Sequence, residues 1–172
     1  VVASAGGVIE AGGDKVSTSS AAFRNPGLIP EIIRELGVDK VTVAIDVDRN
    51  PALPSGYEVY VDGGRTATGA DAVEWARQVA GHGVRCLLPT SKATDGARTG
   101  FDLPLIRLIA TATGAEVVAS GGAGTMEHFH EAAEAGASIL LAASVFHFGV
   151  IAIPELKDYL RGRGWNLVPA AP

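Results

Sequence analysis

The run Lys40-Val41-Thr42-Val43-Ala44-Ile45-Asp46 ends a β-branched stretch in an acid. Strand alternation puts Val41, Val43 and Ile45 on one face and Thr42, Ala44 and Asp46 on the other. A carboxylate at a strand's C-terminal end, partly shielded from water, can serve as a general acid or base. A loop-capping aspartate would leave the same signature. A second kind of chemistry is repeated. Val1-Val2-Ala3-Ser4-Ala5-Gly6-Gly7 matches Val117-Val118-Ala119-Ser120-Gly121-Gly122-Ala123, both are followed by Glu-Ala-Gly at Glu10 and Glu134, and the register continues to Ser20 and Ser144. A glycine pair closing a strand exposes backbone N–H groups, and a small hydroxyl residue at the next strand end completes an anion nest. Two nests suggest a ligand with two phosphates, although tight turns alone also call for glycine pairs. The copies differ in one respect: 11 residues lie between Gly122 and Glu134, but only Val8 and Ile9 lie between Gly7 and Glu10. The first copy therefore lacks a crossover helix, and a strand over residues 1–4 has too short a connection for ordinary parallel pairing.

Other polar groups point away from metals. Asp46-Val47-Asp48-Arg49-Asn50 imitates the start of a calcium loop, but Pro51 stands at the turn position that needs glycine, and Tyr57 stands where a closing acid is required. His128 and His130 are two apart on a predicted helix and face different directions, and His130-Glu131-Ala132-Ala133-Glu134 lacks the second histidine of a zinc-protease helix. His147, between two phenylalanines, reads as a packed residue. No metal and no cofactor is expected. Asp95-Gly96 and Gly100-Phe101-Asp102 fall in a Thr- and Gly-rich loop, which suits a second polar group near substrate or a plain turn.

The elements that must position these residues alternate along the chain. Strands are predicted over 14–19, 40–47, 84–89, 116–120 and 138–143, and helices over 27–36, 71–81, 103–113, 126–135 and 154–161. Residues 1–4 read as a sixth strand, and Tyr57–Val61 followed by Asp62-Gly63-Gly64 reads as a small hairpin. This order defines an α/β class with a parallel sheet and fits either a barrel or an open doubly wound sheet. The 172 residues suit one domain over 1–172, with 47% hydrophobic residues and 22 glycines arguing against disorder. A net charge of −5 with 14 Lys+Arg opposes nucleic-acid binding. The absence of a long apolar stretch opposes a membrane span. The lone Cys86, in an apolar run, suits a packed strand residue and a reducing cytoplasm.

Taken in order, Asp14-Lys15-Val16-Ser17, Val43-Ala44-Ile45-Asp46, Gly63-Gly64-Arg65, Asp95-Gly96, Ala119-Ser120-Gly121-Gly122-Ala123-Gly124, Glu127-His128-Phe129 and Ala142-Ala143-Ser144-Val145-Phe146-His147-Phe148 resemble the cyclase family of imidazole glycerol phosphate synthase. The resemblance runs from about Glu10 to the C-terminus. It implies a partial TIM (β/α)8-barrel, about strands four to eight plus a remnant of strand three. It also implies a glutamine amidotransferase partner that supplies ammonia. The substrate would be a bis-phosphorylated ribulosyl aminoimidazole carboxamide ribotide, closed to imidazole glycerol phosphate with release of an aminoimidazole ribotide. By the same resemblance Asp46 matches a catalytic aspartate; Asp95, Gly96, Gly122, Ala143 and Ser144 match one phosphate site; Gly7, Ser19 and Ser20 match the other; and Thr90 and Ser91 match polar positions lining the substrate.

Three departures stand out. The family's other catalytic aspartate belongs to a first strand not found in this sequence. Ser19 replaces a usual Asn, and Ala93 and Thr94 replace residues that are usually charged. An open barrel would also expose sheet edges and apolar interior, so pairing is expected, either with another copy in a homo-oligomer or with an upstream half.

Overall fold

The computed structural model describes residues 1–168. Five parallel strands, β1 (Val16–Thr18), β2 (Val41–Arg49), β5 (Cys86–Ser91), β6 (Glu116–Ala119) and β7 (Ile139–Leu140), follow one another across the sheet. An antiparallel hairpin, β3 (Tyr57–Val61) and β4 (Thr66–Asp71), interrupts the alternation and pairs with the far end of β2. β2 thus shares one edge between β1, which registers with Val41 to Val43, and β3, which registers with Asp46 to Arg49.

The alternation along β2 sets the layering. Val41, Val43, Ile45 and Val47 are each no more than 1% exposed, whereas Ala44, Asp46 and Asp48 on the other face are half-buried. Leu87 registers with Val43 on one side and with Val117 on the other, so one buried apolar layer crosses three strands. Helices α3 (Leu28–Leu36), α4 (Ala72–Gly81), α5 (Leu103–Thr113) and α6 (Met126–Glu134) supply the rest of this layer through Ile29, Val79, Leu105, Ile109 and Phe129. Burying each of these side chains contributes roughly 1.5–3 kcal/mol. On the opposite face Leu88 and Ser120 are half-buried, and Ile139 and Leu141 are 39% and 40% exposed. Consecutive parallel strands with helices on one face and a partly open inner face make a partial (β/α)8-barrel.

Local chemistry fixes the helix starts. Asp71 accepts from the amides of Val73 and Glu74 at the head of α4, Asp102 accepts from Leu105 N–H at the head of α5, and Thr125 and His128 form a capping box at the head of α6. The hairpin tip takes Asp62, Gly63 and Gly64 through φ of 58°, 65° and 75°. Ala152 precedes the last helix, α8 (Ile153–Gly162).

Residues 1–4 depart from the expectation of a strand. Val2–Glu10 forms helix α1 instead. Val2, Ala5 and Ile9 recur at helical spacing and pack against Val16, Ile32 and Val41, so a β-branched opening concealed an amphipathic period. The 11 residues from Ala5 to Lys15 also leave no room for a crossover back to β1. Helix α1 is thinly supported: it has no side-chain cap, no buried residue, and two glycines in its middle. Nothing lies within 4 Å of a Cβ built on Gly6 or Gly7. Replacing both by Ala is expected to stabilise the chain by about 0.5–1 kcal/mol per site and to raise far-UV helical ellipticity. A loss of stability in urea titration would contradict the helical assignment.

Candidate functional site

The C-terminal ends of the parallel strands carry the polar residues. Asp46 registers with Thr90, and Thr90 bridges to Ser120, so three inward-facing polar positions stand in one row across β2, β5 and the end of β6. At roughly 4.8 Å per strand the row is about 10 Å long. The Asp46 carboxyl is held above the ordinary carboxylate range, first by burial and then by the nearby charge of Asp95, with Lys92 opposing. Lys92 is itself tied down, 3.5 Å from Asp48 and 3.7 Å from the centre of the Tyr60 ring.

Beside this row lies a cavity of about 190 Å³ at the tips of β6 and β7, lined by Asp95, Gly96, Gly122, Ala143 and Ser144. These are the five residues matched above to one phosphate site, and the fold brings them together. Ser144 opens the short helix α7 (Ser144–His147). The loop after β5 presses onto the glycine turn. Gly100 N–H donates to Gly122 O at 2.8 Å, and Thr94 Oγ1 donates to Gly121 O at 3.2 Å. A Cβ on Gly122 would lie 2.1 Å from Gly100 O, so no side chain fits there. The N–H groups of Gly122 and Ala123, two residues that line the cavity, donate to no acceptor among the described residues.

The other expected site residues lie elsewhere. Gly7 sits inside α1, where an amide at that depth is spent on the helix, so the first glycine pair forms no nest here. Ser20 Oγ accepts from Asp62 N–H at 2.8 Å and so steadies the hairpin tip, while Ser19 precedes α2 (Ser20–Arg24) without a capping bond. Thr90 faces inward, in the row with Asp46. Ser91 does not: one residue further along, alternation turns it to the helix side, where it is 1% exposed and donates to Asp102 Oδ2 at 3.0 Å.

Asp102, in the loop that suited either a polar group near substrate or a plain turn, points into the protein. Besides Ser91 it accepts from Tyr57 Oη at 2.6 Å, Leu105 N–H at 3.2 Å and Arg49 Nη2 at 3.2 Å. Arg49 also lies 4.4 Å from the centre of the Tyr57 ring. Burial and the Asp102 hydrogen bond push the Tyr57 phenol well above its ordinary range. The sequence hinted at part of this, since an Asp two residues before Pro104 is a helix-start signal. The Tyr57 and Arg49 contacts carried no local signal. Arg98, also passed over in the sequence, lines the same cavity as Ser144. Among the described residues no group of three or more His, Cys, Asp or Glu could hold a metal ion, and no helix is long and apolar enough to cross a membrane.

The model of the family described as histidine biosynthesis protein matches residues 2–152. The chain belongs to that family. Among curated relatives, imidazole glycerol phosphate synthase subunit HisF of Pyrobaculum aerophilum is 50% identical over 157 residues, which cover 91% of this chain and 61% of the relative. The same subunit of Thermobifida fusca is 47% identical over 161 residues, covering 92% and 63%. That of Thermococcus gammatolerans is 46% identical over 157 residues, covering 91% and 61%. This member of the histidine biosynthesis family therefore spans about three fifths of the length of the curated relatives it matches.

Two outcomes follow for this rim. Because the folded protein resists ionising Asp46, wild type is penalised above its folded pKa and is free of the penalty below the ordinary carboxylate range. Asp46→Asn is therefore expected to raise the Tm at pH 7, with the gain vanishing as the pH falls through that range; a lowered Tm at pH 7 would contradict the stated environment. Asp102→Ala leaves two buried hydroxyls and a helix start unpaired and is expected to cost about 3–5 kcal/mol in urea unfolding. A cost under about 1 kcal/mol would mean that the network contributes little.

Proposed function

We propose that this chain works as the Asp46-bearing part of a cyclase barrel of imidazole glycerol phosphate synthase. In that role it receives ammonia from a glutamine amidotransferase partner in the cytoplasm. The bis-phosphorylated ribulosyl aminoimidazole carboxamide ribotide would be converted to imidazole glycerol phosphate and aminoimidazole carboxamide ribotide. The observation that carries this reading is the row Asp46, Thr90 and Ser120 standing beside an amide-lined cavity at the same rim. One phosphate would sit on the Gly122 and Ala123 amides and the Ser144 hydroxyl. The other would lie toward Ser19 and Ser20, where Ser20 Oγ accepts from Asp62 and so keeps its own proton free to donate. An elongated substrate bound at both ends would cross Asp46. A half-buried carboxyl there can take a proton from the attacking nitrogen and hand one to a departing group, and burial strengthens its hold on that proton.

A second reading has support from the exposed Ile139 and Leu141 on the inner face: a catalytically silent half-barrel that binds phosphates and self-associates. Ammonia-dependent turnover of the bis-phosphate separates the two. It would be measured for the chain alone and after adding a fragment that supplies the first strands of a relative. The cyclase reading expects turnover in the complemented sample and a loss of about 10²–10⁴-fold in the Asp46→Asn variant. Phosphate binding with no turnover in either sample would leave only the half-barrel.

A further inference from the structure

Arg98 adopts a backbone conformation that its side chain does not favour. Its φ is 57°, and the only other non-glycine residue with positive φ among the described residues is Asp62, in the hairpin tip beside two glycines. Aspartate tolerates the left-handed region through local hydrogen bonds, whereas arginine has no such local compensation. Glycines stand two residues away on either side, at Gly96 and Gly100, both with positive φ. The loop therefore places glycine around this position but an arginine in it.

The backbone of Arg98 is pressed against the glycine turn, since a Cβ on Gly124 would lie 2.3 Å from Arg98 O. That approach sends the residue to the wall of the cavity formed by Gly121, Gly122 and Ser144. Arg98 is the one cationic residue lining this cavity, and Asp95 is the one acid. No carboxylate pairs with Arg98 among the described residues. An anion on the free amides of Gly122 and Ala123 would meet the Asp95 carboxylate unless a cation offset it. Arg98 is the group in place to do so.

We propose that Arg98 is the cation of this pocket, pairing through its guanidinium with a phosphate monoester held by the Gly122 and Ala123 amides, and that the left-handed backbone at 98 is strain kept for that contact. The inference rests on the phosphate pocket proposed above. Residues held in costly conformations cluster where a ligand needs them, and a guanidinium matches phosphate oxygens two at a time.

The test uses the 172-residue chain as wild type, Arg98→Gly, Arg98→Lys and Gly122→Ala. Inorganic phosphate and glycerol 3-phosphate are titrated calorimetrically at two salt concentrations, and each protein is melted without ligand. Arg98→Gly relieves the backbone and removes the charge. Its Tm is expected to rise by about 1–3 °C while both anions bind about tenfold more weakly or worse. Arg98→Lys keeps the charge without the fork and should fall between the two. The ester should bind at least as tightly as inorganic phosphate. Tighter inorganic phosphate would overturn the monoester assignment. If Gly122→Ala loses binding while Arg98→Gly retains it, the role of Arg98 falls and the pocket stands. If wild type binds neither anion at millimolar concentration, the pocket falls and Arg98 with it. A lower Tm for Arg98→Gly would overturn the strain claim by making Arg98 a structural residue.

Discussion

The carboxylate of Asp102 is the junction on which the candidate site depends. It is 6% exposed and accepts from four separate stretches of chain: Arg49 at the end of β2, Tyr57 in the hairpin, Ser91 at the end of β5, and the first turn of α5. A buried charge is tolerated only where donors surround it, and removing any donor raises the cost of the rest. The arrangement therefore admits few alternatives. Because Ser91 and Asp102 bracket residues 92–101 and bond to each other, that loop is closed at its base by one hydrogen bond. Its interior can be small, polar and rich in glycine without becoming free to wander. The excursion β3–β4 is held to the rim by the same carboxylate and by Lys92 on Tyr60.

How far the sequence discloses this structure depends on the range of each signal. The face of β2 could be read residue by residue, because alternation is local and Val43, Ile45 and Val47 have no competing period. The hairpin tip was legible for the same reason, since Asp62-Gly63-Gly64 permits little else. Cavity residues Asp95, Gly96, Gly122, Ala143 and Ser144 were found through repetition and resemblance, and the fold does gather them. Asp102 suits a polar group near substrate or a plain turn in the sequence, and neither reading reaches its partners Arg49 and Tyr57, which lie 53 and 45 positions away. Ser91 failed by a single step of parity: its neighbour Thr90 faces the rim, so Ser91 cannot.

The glycine run at 121–124 was weighed as either a turn requirement or an anion nest, and the geometry removes the opposition. Gly122 lacks a side chain because Gly100 O occupies the space, and its carbonyl is spent on Gly100 N–H. Its own N–H is left over. A peptide unit has one donor and one acceptor, and docking the loop consumes only the acceptor. The contact that closes the loop thus leaves the Gly122 N–H unused on a residue that lines the cavity, so loop docking and the proposed anion site call on different atoms of one residue.

Two nearly identical segments fold differently because different neighbours pack on them. Around Gly121 and Gly122 a neighbouring loop comes within contact distance and a parallel strand pairs on each side of β6. Around Gly6 and Gly7 nothing approaches, and the next strand, β1, follows too closely in sequence to pair in parallel. Without those partners a Val-Val-Ala-Ser opening has no ladder in which its β-branched residues gain, so β-propensity, which reflects a pleated and half-buried setting, loses its basis. What remains is the apolar face of Val2, Ala5 and Ile9, which can be buried against α3 only by coiling. The repeat carries the residues of a nest, but whether it becomes one is decided by what packs on it.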